Sequence, residues 1–174
     1  MKILIAEDDP DTRRSYTRVL EQRQHVVKTA INGKECLDLY HEGLRKVASN
    51  VTAIREHVLP FDVVLLDYKM PDINGMEVAK EILTVNLHQR IIFASAYVKE
   101  TLVESVKQLN QVVELLQKPF GSRILIDQIE DKEIYVELQK LNVNIQTLKT
   151  ANLSHEELKR VLEILRTIQK GRTF

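Results

Sequence analysis

The side chains most able to do chemistry in this sequence stand at the ends of apolar runs. Glu7 and Asp8 follow Ile3-Leu4-Ile5-Ala6, and Asp67 closes Phe61-Asp62-Val63-Val64-Leu65-Leu66. Ser95 follows Arg90-Ile91-Ile92-Phe93-Ala94, and Lys118 follows Val112-Val113-Glu114-Leu115-Leu116-Gln117. Three carboxylates brought to one edge would repel one another and raise each other's pKa unless a cation lies among them. Hard oxygen ligands on loops suit Mg²⁺, which keeps several waters and takes a phosphate oxygen as a ligand. Such a group could support phosphoryl transfer to a carboxylate, with the metal neutralising charge while an in-line nucleophile attacks. Asp67 is the only acid on its own strand end, which makes it the candidate nucleophile. Asp9 is one acid more than the chemistry needs, and its place before Pro10 reads as a helix cap.

These residues meet only if the runs are parallel strands, because the ligand crevice of an open parallel sheet lies outside the strands' carboxyl ends. The rest of the pattern fits. Short apolar strands alternate with stretches of helical period, the mark of strand-helix-strand units. Asp9-Pro10 opens a first helix running to about Arg23, and strand two spans His25 to Ala30. Asn32-Gly33 turns the chain into helix two, and helix three starts near Asn74-Gly75 and ends before Arg90. Helix four fills about Val98 to Asn110, and helix five begins after Phe120. The order predicts a flavodoxin-like, doubly wound (βα)₅ parallel sheet with an elongated second helix and a C-terminal helical extension.

An acid pair, a single acid before a Met-Pro turn (Met70-Pro71), Ser95-Ala96 and Lys118-Pro119-Phe120, each after successive strands, resemble the receiver domain of two-component response regulators, the CheY-like family. The resemblance covers residues 1–130. It implies that Asp67 accepts a phosphoryl group from a sensor histidine kinase or a phosphotransfer protein. Asp8 would bind Mg²⁺ directly, Glu7 would act through a coordinated water, and Asp67 and the backbone carbonyl of Lys69 would complete the ligands. Lys118, followed by a cis peptide bond to Pro119, would pair with the carboxylate and then with the phosphoryl group. Ser95 would be the switch hydroxyl. The implied role is a phosphoacceptor switch rather than an enzyme.

Composition agrees without choosing. The chain has 174 residues, enough for one domain and an appendage, with 25 Lys+Arg against 25 Asp+Glu and no net charge. Nothing advertises nucleic acid or an anionic membrane. Cys36 has no partner for an internal disulfide, the five histidines are scattered without ligand spacing, and no apolar stretch has the length of a membrane span. A soluble cytoplasmic protein is expected.

Three departures from the family pattern stand out. Gly33 and Asp67 lie 34 residues apart, where the resemblance implies little more than half that. Leu37, Tyr40, Leu44, Val47, Val51, Ile54 and Val58 recur at helical spacing, so the surplus is expected to lengthen helix two. Leu115 stands where many members carry an aromatic switch residue. Lys69 and Tyr97 occupy the positions that tune hydrolysis of the aspartyl phosphate, and their bulk predicts a long-lived phosphoform.

The tail, residues 131–174, must supply the output. Ile134, Leu138, Leu141, Ile145 and Leu148 follow coiled-coil spacing, and no Pro or Gly interrupts Ser122 to Thr150, so helix five is expected to run on as a rod. Ser154-His155-Glu156-Glu157 reads as the capping box of a further helix, with Leu158, Val161, Leu162, Leu165 and Ile168 as its apolar stripe. The two helices could fold back as a hairpin or pair between chains, and a homodimer is the expectation. DNA binding is disfavoured, because residues 122–174 hold nine Lys/Arg and eight Asp/Glu without a basic stripe. The alternatives are a transcription regulator that binds DNA through these helices and a phosphorylation-independent scaffold. The expected output is altered association with a protein target.

Overall fold

The computed structural model describes residues 1–50, 58–96, 114–130, 134, 137–138, 140–141, 143 and 155–170. The chain divides into two compact units, Met1–Ser122 and Arg123–Phe174.

In the first unit the apolar runs become strands: β1 (Lys2–Ala6), β2 (Val26–Ala30), β3 (Val63–Asp67), β4 (Ile91–Ser95) and β5 (Glu114–Gln117). All neighbours are parallel, in the order β2-β1-β3-β4-β5, the flavodoxin-like winding. Strands covered on both faces need apolar side chains at every position. Accordingly Ile3–Ala6, Val63–Leu66 and Ile91–Ser95 are buried throughout, while the edge strands β2 and β5 are only partly so. Each fully buried Leu, Ile or Phe contributes about 1.5–3 kcal/mol, so this sheet is the rigid part of the site.

Three helices of this unit begin with the caps their sequences predict. Helix α1 (Pro10–Gln22) starts at Asp9, whose carboxylate accepts from Thr12 N at 2.7 Å. Helix α2 (Gly33–Ala48) starts at Asn32, which accepts from Glu35 N at 2.8 Å. Helix α3 (Gly75–Val85) starts in a full capping box between Asn74 and Glu77. The helix expected over 98–110 lies outside the described residues.

Helix α2 is shorter than its apolar spacing predicts. It stops at Ala48, where Ser49 N–H bonds the Arg45 carbonyl at 3.0 Å and the Ser49 hydroxyl donates to the Lys46 carbonyl at 2.9 Å. Val51 and Ile54, assigned to the same helix, lie outside the described residues, and Val58 is not helical. The chain returns beside α2 at Pro60 and Phe61. Phe61 stacks on Tyr40 at 6.1 Å between ring centroids, and a Cβ on Gly43 would press on Pro60.

At the amino-terminal edge of the sheet, Tyr40 Oη donates to Gln89 Oε1 at 2.9 Å and accepts from Asn86 Nδ2 at 3.2 Å, while Gln89 Nε2 donates to the Phe61 carbonyl at 3.1 Å. Arg90, just before β4, and Glu114, which opens its neighbour β5, form a two-pronged ion pair with N···O distances of 2.6 and 2.8 Å. Both side chains are nearly buried, so the pair helps to fix the register of the two strands.

In the second unit, α4 (Ser122–Glu130) buries Leu125 and Ile129, and α5 spans His155–Lys170. Ile134, Glu137, Leu138 and Lys140 are helical, but the expected rod to Thr150 is cut short. The chain turns at Leu141, and Val143 N–H reaches back to the Leu138 carbonyl at 3.1 Å, the long bond of a helix C-terminal motif. Such a motif usually brings together the apolar side chains at its two ends, and Val143 and Leu138 do share one cluster. That cluster also holds Ile134, Leu162, Leu141, Val161 and Leu165, all from this one chain. Arg166 on α5 bonds Glu137 at 2.9 Å. These contacts display the fold-back alternative. The seam residues Ile145 and Leu148 lie outside the described residues, as does the cap at Ser154.

Candidate phosphoryl-acceptor site

The sheet register carries each candidate residue to one edge. Glu7 N–H bonds the Ala30 carbonyl at 3.1 Å, Tyr68 N–H bonds Ala94 at 3.3 Å, and Lys118 N–H bonds Ser95 at 2.7 Å. The parallel ladder therefore continues one residue past the strand ends, so Glu7 and Lys118 are held by main-chain bonds rather than by loop packing alone. Ser95 ends β4 and is buried, in register with Gln117, while Asp67 is in register with Ala94.

Glu7, Asp8 and Asp67 offer carboxylate oxygens that all lie within 4.8 Å of one another. Glu7 is only 2% exposed, Asp67 is half-buried and Asp8 is exposed. The Lys118 ammonium sits between two of them, 2.7 Å from Glu7 Oε2 and 3.1 Å from Asp67 Oδ2. Burial, with the Asp67 charge adding to it against the pull of Lys118, raises the Glu7 pKa from 4.5 to about 6. Burial works against the Lys118 ammonium, but the Glu7 hydrogen bond and the Asp67 charge outweigh it and hold its pKa above the usual value. One lysine thus balances part of the acid charge. Three hard oxygen donors, one of them open to water, fit a Mg²⁺ ion that keeps several of its waters.

Asp67 ends β3 and leads into a tightly turned loop. Gly75 N–H bonds the Tyr68 carbonyl at 3.1 Å, and a Cβ on Gly75 would overlap the Asp67 carbonyl. Only glycine allows that approach. Lys69 N–H lies 3.3 Å from Asp67 Oδ1, which steadies the carboxylate from its own loop. The Lys118-Pro119 bond is cis.

Sequence spacing missed two neighbours of the site. Arg13 Nη1 donates to the carbonyls of Glu7 at 2.6 Å and Asp8 at 3.1 Å. Tyr16 stacks on Phe120 with ring centroids 5.3 Å apart and planes 15° from parallel. Burial and then the negative charges of Glu7, Asp67 and Asp9 push the Tyr16 hydroxyl pKa up. Both residues lie on α1, where only their spacing from Asp9 hinted that they face the loops. Tyr97 lies outside the described residues.

Comparison with known families supplies the deciding observation. The family profile of the response regulator receiver domain matches residues 3–130. The chain belongs to this receiver family. The chain is 29% identical over 129 residues to the response regulator receiver protein CpdR of Brucella abortus (strain 2308), covering 74% of this chain and 93% of CpdR. It is 29% identical over 130 residues to sporulation initiation phosphotransferase F of Bacillus subtilis (strain 168), covering 75% and 88%. Among solved structures, the N-terminal domain of an uncharacterized Wolinella succinogenes protein matches with a TM-score of 0.61 at 26% identity, over 80% of this chain and 98% of that one. A chain of the CheX–CheY–BeF₃–Mg complex from Borrelia burgdorferi shares the fold at 22% identity and a TM-score of 0.57, over 74% of this chain and 86% of that one. Receiver domains are phosphoacceptor modules of two-component systems. Among the described residues, no helix is long and apolar enough to cross a membrane.

Proposed function

We propose that this chain is a response regulator that accepts a phosphoryl group on Asp67 from a histidine kinase or a phosphotransfer protein. The observation that carries the reading is the convergence, at the carboxyl edge of a receiver sheet, of three carboxylates whose oxygens lie within 4.8 Å of one another, with the Lys118 ammonium bonded to two of them, Glu7 and Asp67. Asp67 Oδ would attack the phosphorus in line, forming the P–O bond of an acyl phosphate. The bond to the donor breaks, and its electron pair leaves with the donor imidazole. Asp67, Asp8, Glu7 through a water, and the Lys69 carbonyl would hold Mg²⁺, which when bound offsets charge on the phosphoryl oxygens. Lys118 would follow that charge from carboxylate to phosphoryl group, and Ser95 would hydrogen-bond a phosphoryl oxygen. At most, Mg²⁺-dependent self-phosphorylation from small donors and autodephosphorylation would be chemistry of its own.

In this reading residues 1–130 are the receiver and residues 131–174 an output extension, acting in the cytoplasm by protein contact. The tail favours contact over DNA because its charges nearly balance and its exposed Ile164 and Ile168 lie one turn apart on α5. We assign that stripe to a homodimer in which two hairpins pair, with a downstream protein as the further target. Incubation with Mg²⁺ and acetyl phosphate tests the acceptor. Intact mass should rise by one phosphoryl group, and Asp67→Asn should abolish the gain; an unchanged wild-type mass with both small and protein donors would reject the reading.

A further inference from the structure

We infer that Arg13 is a positioning residue for the Mg²⁺ site, an inference that rests on the acceptor reading above. Three successive carbonyls of the loop between β1 and α1 end on this one residue. The Glu7 and Asp8 carbonyls accept from Arg13 Nη1 at 2.6 and 3.1 Å, and the Asp9 carbonyl accepts from Arg13 N–H at 3.0 Å. The residue is anchored in turn, because Thr17 Oγ1 donates to its carbonyl at 2.8 Å. A loop whose carbonyls are gathered on one side has little freedom to rotate its peptides. Glu7 and Asp8 are thereby held where their carboxylates lie within 4.8 Å of Asp67.

This support is not a by-product of helix capping. Asp9 caps α1 through Thr12 N–H, and the first helical bond needs only the Arg13 backbone. The side chain does separate work, reaching back along its own helix to carbonyls that would otherwise have to find water. A guanidinium is suited to this, since it stays charged and offers several fixed donors. Its charge also bears on the metal. A cation bonded to the main chain of two of the acids opposes Mg²⁺ by repulsion, whereas orientation of the ligands favours it. The two effects have opposite signs, so the metal affinity of a variant shows which one prevails.

Groups that orient metal ligands typically change affinity about 10–100-fold when removed. The test is a titration with Mg²⁺ alone, followed by amide shifts in NMR, on wild type, Arg13→Ala, Arg13→Lys and a ligand control, Asp8→Asn. Urea unfolding in EDTA is measured on the same four proteins. Arg13→Ala should bind Mg²⁺ about tenfold more weakly. Arg13→Lys, which keeps a charged donor on a long stem, should recover most of that loss, with its urea midpoint in EDTA near wild type. Arg13→Ala binding as tightly as wild type, or more tightly, would overturn the inference and leave charge repulsion as the residue's main effect. If Arg13→Ala does not fold, Arg13→Met, which keeps the stem, replaces it under the same criterion. A wild type that shows no Mg²⁺ binding would reject the site reading itself. A wild type that binds, with Asp8→Asn defective and Arg13→Ala normal, would reject only the role of Arg13.

Discussion

The Lys118 ammonium lies 2.7 Å from Glu7 Oε2, closer than the 3.1 Å that separates it from Asp67 Oδ2. The lysine therefore bridges Asp67 and the buried Glu7. Its removal leaves two facing carboxylates with no cation between them. Lys118→Met should cost roughly 1–3 kcal/mol in EDTA at neutral pH, the scale for orphaning a buried hydrogen-bonded group, and Mg²⁺ should restore part of it. Urea unfolding with and without Mg²⁺ checks this. Equal stability of variant and wild type in EDTA would show that the lysine does not compensate the acids.

Glu7 sets a pH dependence of definite sign. Its pKa is raised in the fold from 4.5 to about 6, chiefly by burial, so the folded state holds this proton more tightly than the unfolded chain does. Its contribution to stability is fully present below pH 4.5 and is lost as the pH climbs through about 6. In EDTA, the wild type should lose melting temperature relative to Glu7→Gln across that window. A difference between the two that stays constant with pH would rule the effect out.

Gly75 should tolerate no side chain. Gly75→Ala would force the Asp67 loop open and should destabilise by roughly 1–3 kcal/mol, as overpacking does, while slowing phosphorylation of Asp67. Gly121, whose added Cβ meets nothing within 4 Å, is the control. Gly121→Ala should stay within about 0.5 kcal/mol of wild type. Denaturant curves and the rate of mass gain with acetyl phosphate give both readouts.

Leu138 is fully buried in the tail cluster. Leu138→Ala should cost the hairpin about 2–5 kcal/mol. Hydrogen exchange should then speed up at Val161, Leu162 and Leu165 and stay slow at Ile3 to Ile5. Unchanged protection on α5 would mean that the fold-back does not hold these helices together.

The parallel sheet was legible because strands buried on both faces read as unbroken apolar runs, and Glu7, Asp67 and Ser95 are the polar residues at which those of β1, β3 and β4 end. Caps were legible where Asn or Asp precedes Gly or Pro, as at Asn32, Asn74 and Asp9. Arg13 was hidden because an arginine on a helix reads as a solvated charge, and its target lay in the carbonyls of its own preceding loop. The end of α2 was hidden for a different reason: Val51, Ile54 and Val58 keep helical spacing, while a serine cap and the returning Pro60 and Phe61 decide where the helix stops. The turn after Leu138 lacks a glycine. Asn142, a residue type that ends helices second only to glycine, was the signal that could have marked it.

The surplus segment leaves α2 at Ser49 and comes back against the same helix at Gly43, with Tyr40, Phe61 and Gln89 bonded behind it. Its two ends are thus fixed to one rigid support, at the edge of the sheet away from the acids. In general, lengthening a flexible connection between fixed ends costs only about 0.6 kcal/mol for each doubling of length. That makes this span an insertion port: a fluorophore, an affinity tag or a whole small domain could be spliced in between Ser49 and Pro60 while Asp67 keeps its geometry. The same tolerance accounts for how a receiver could come to carry extra sequence here without altering its chemistry.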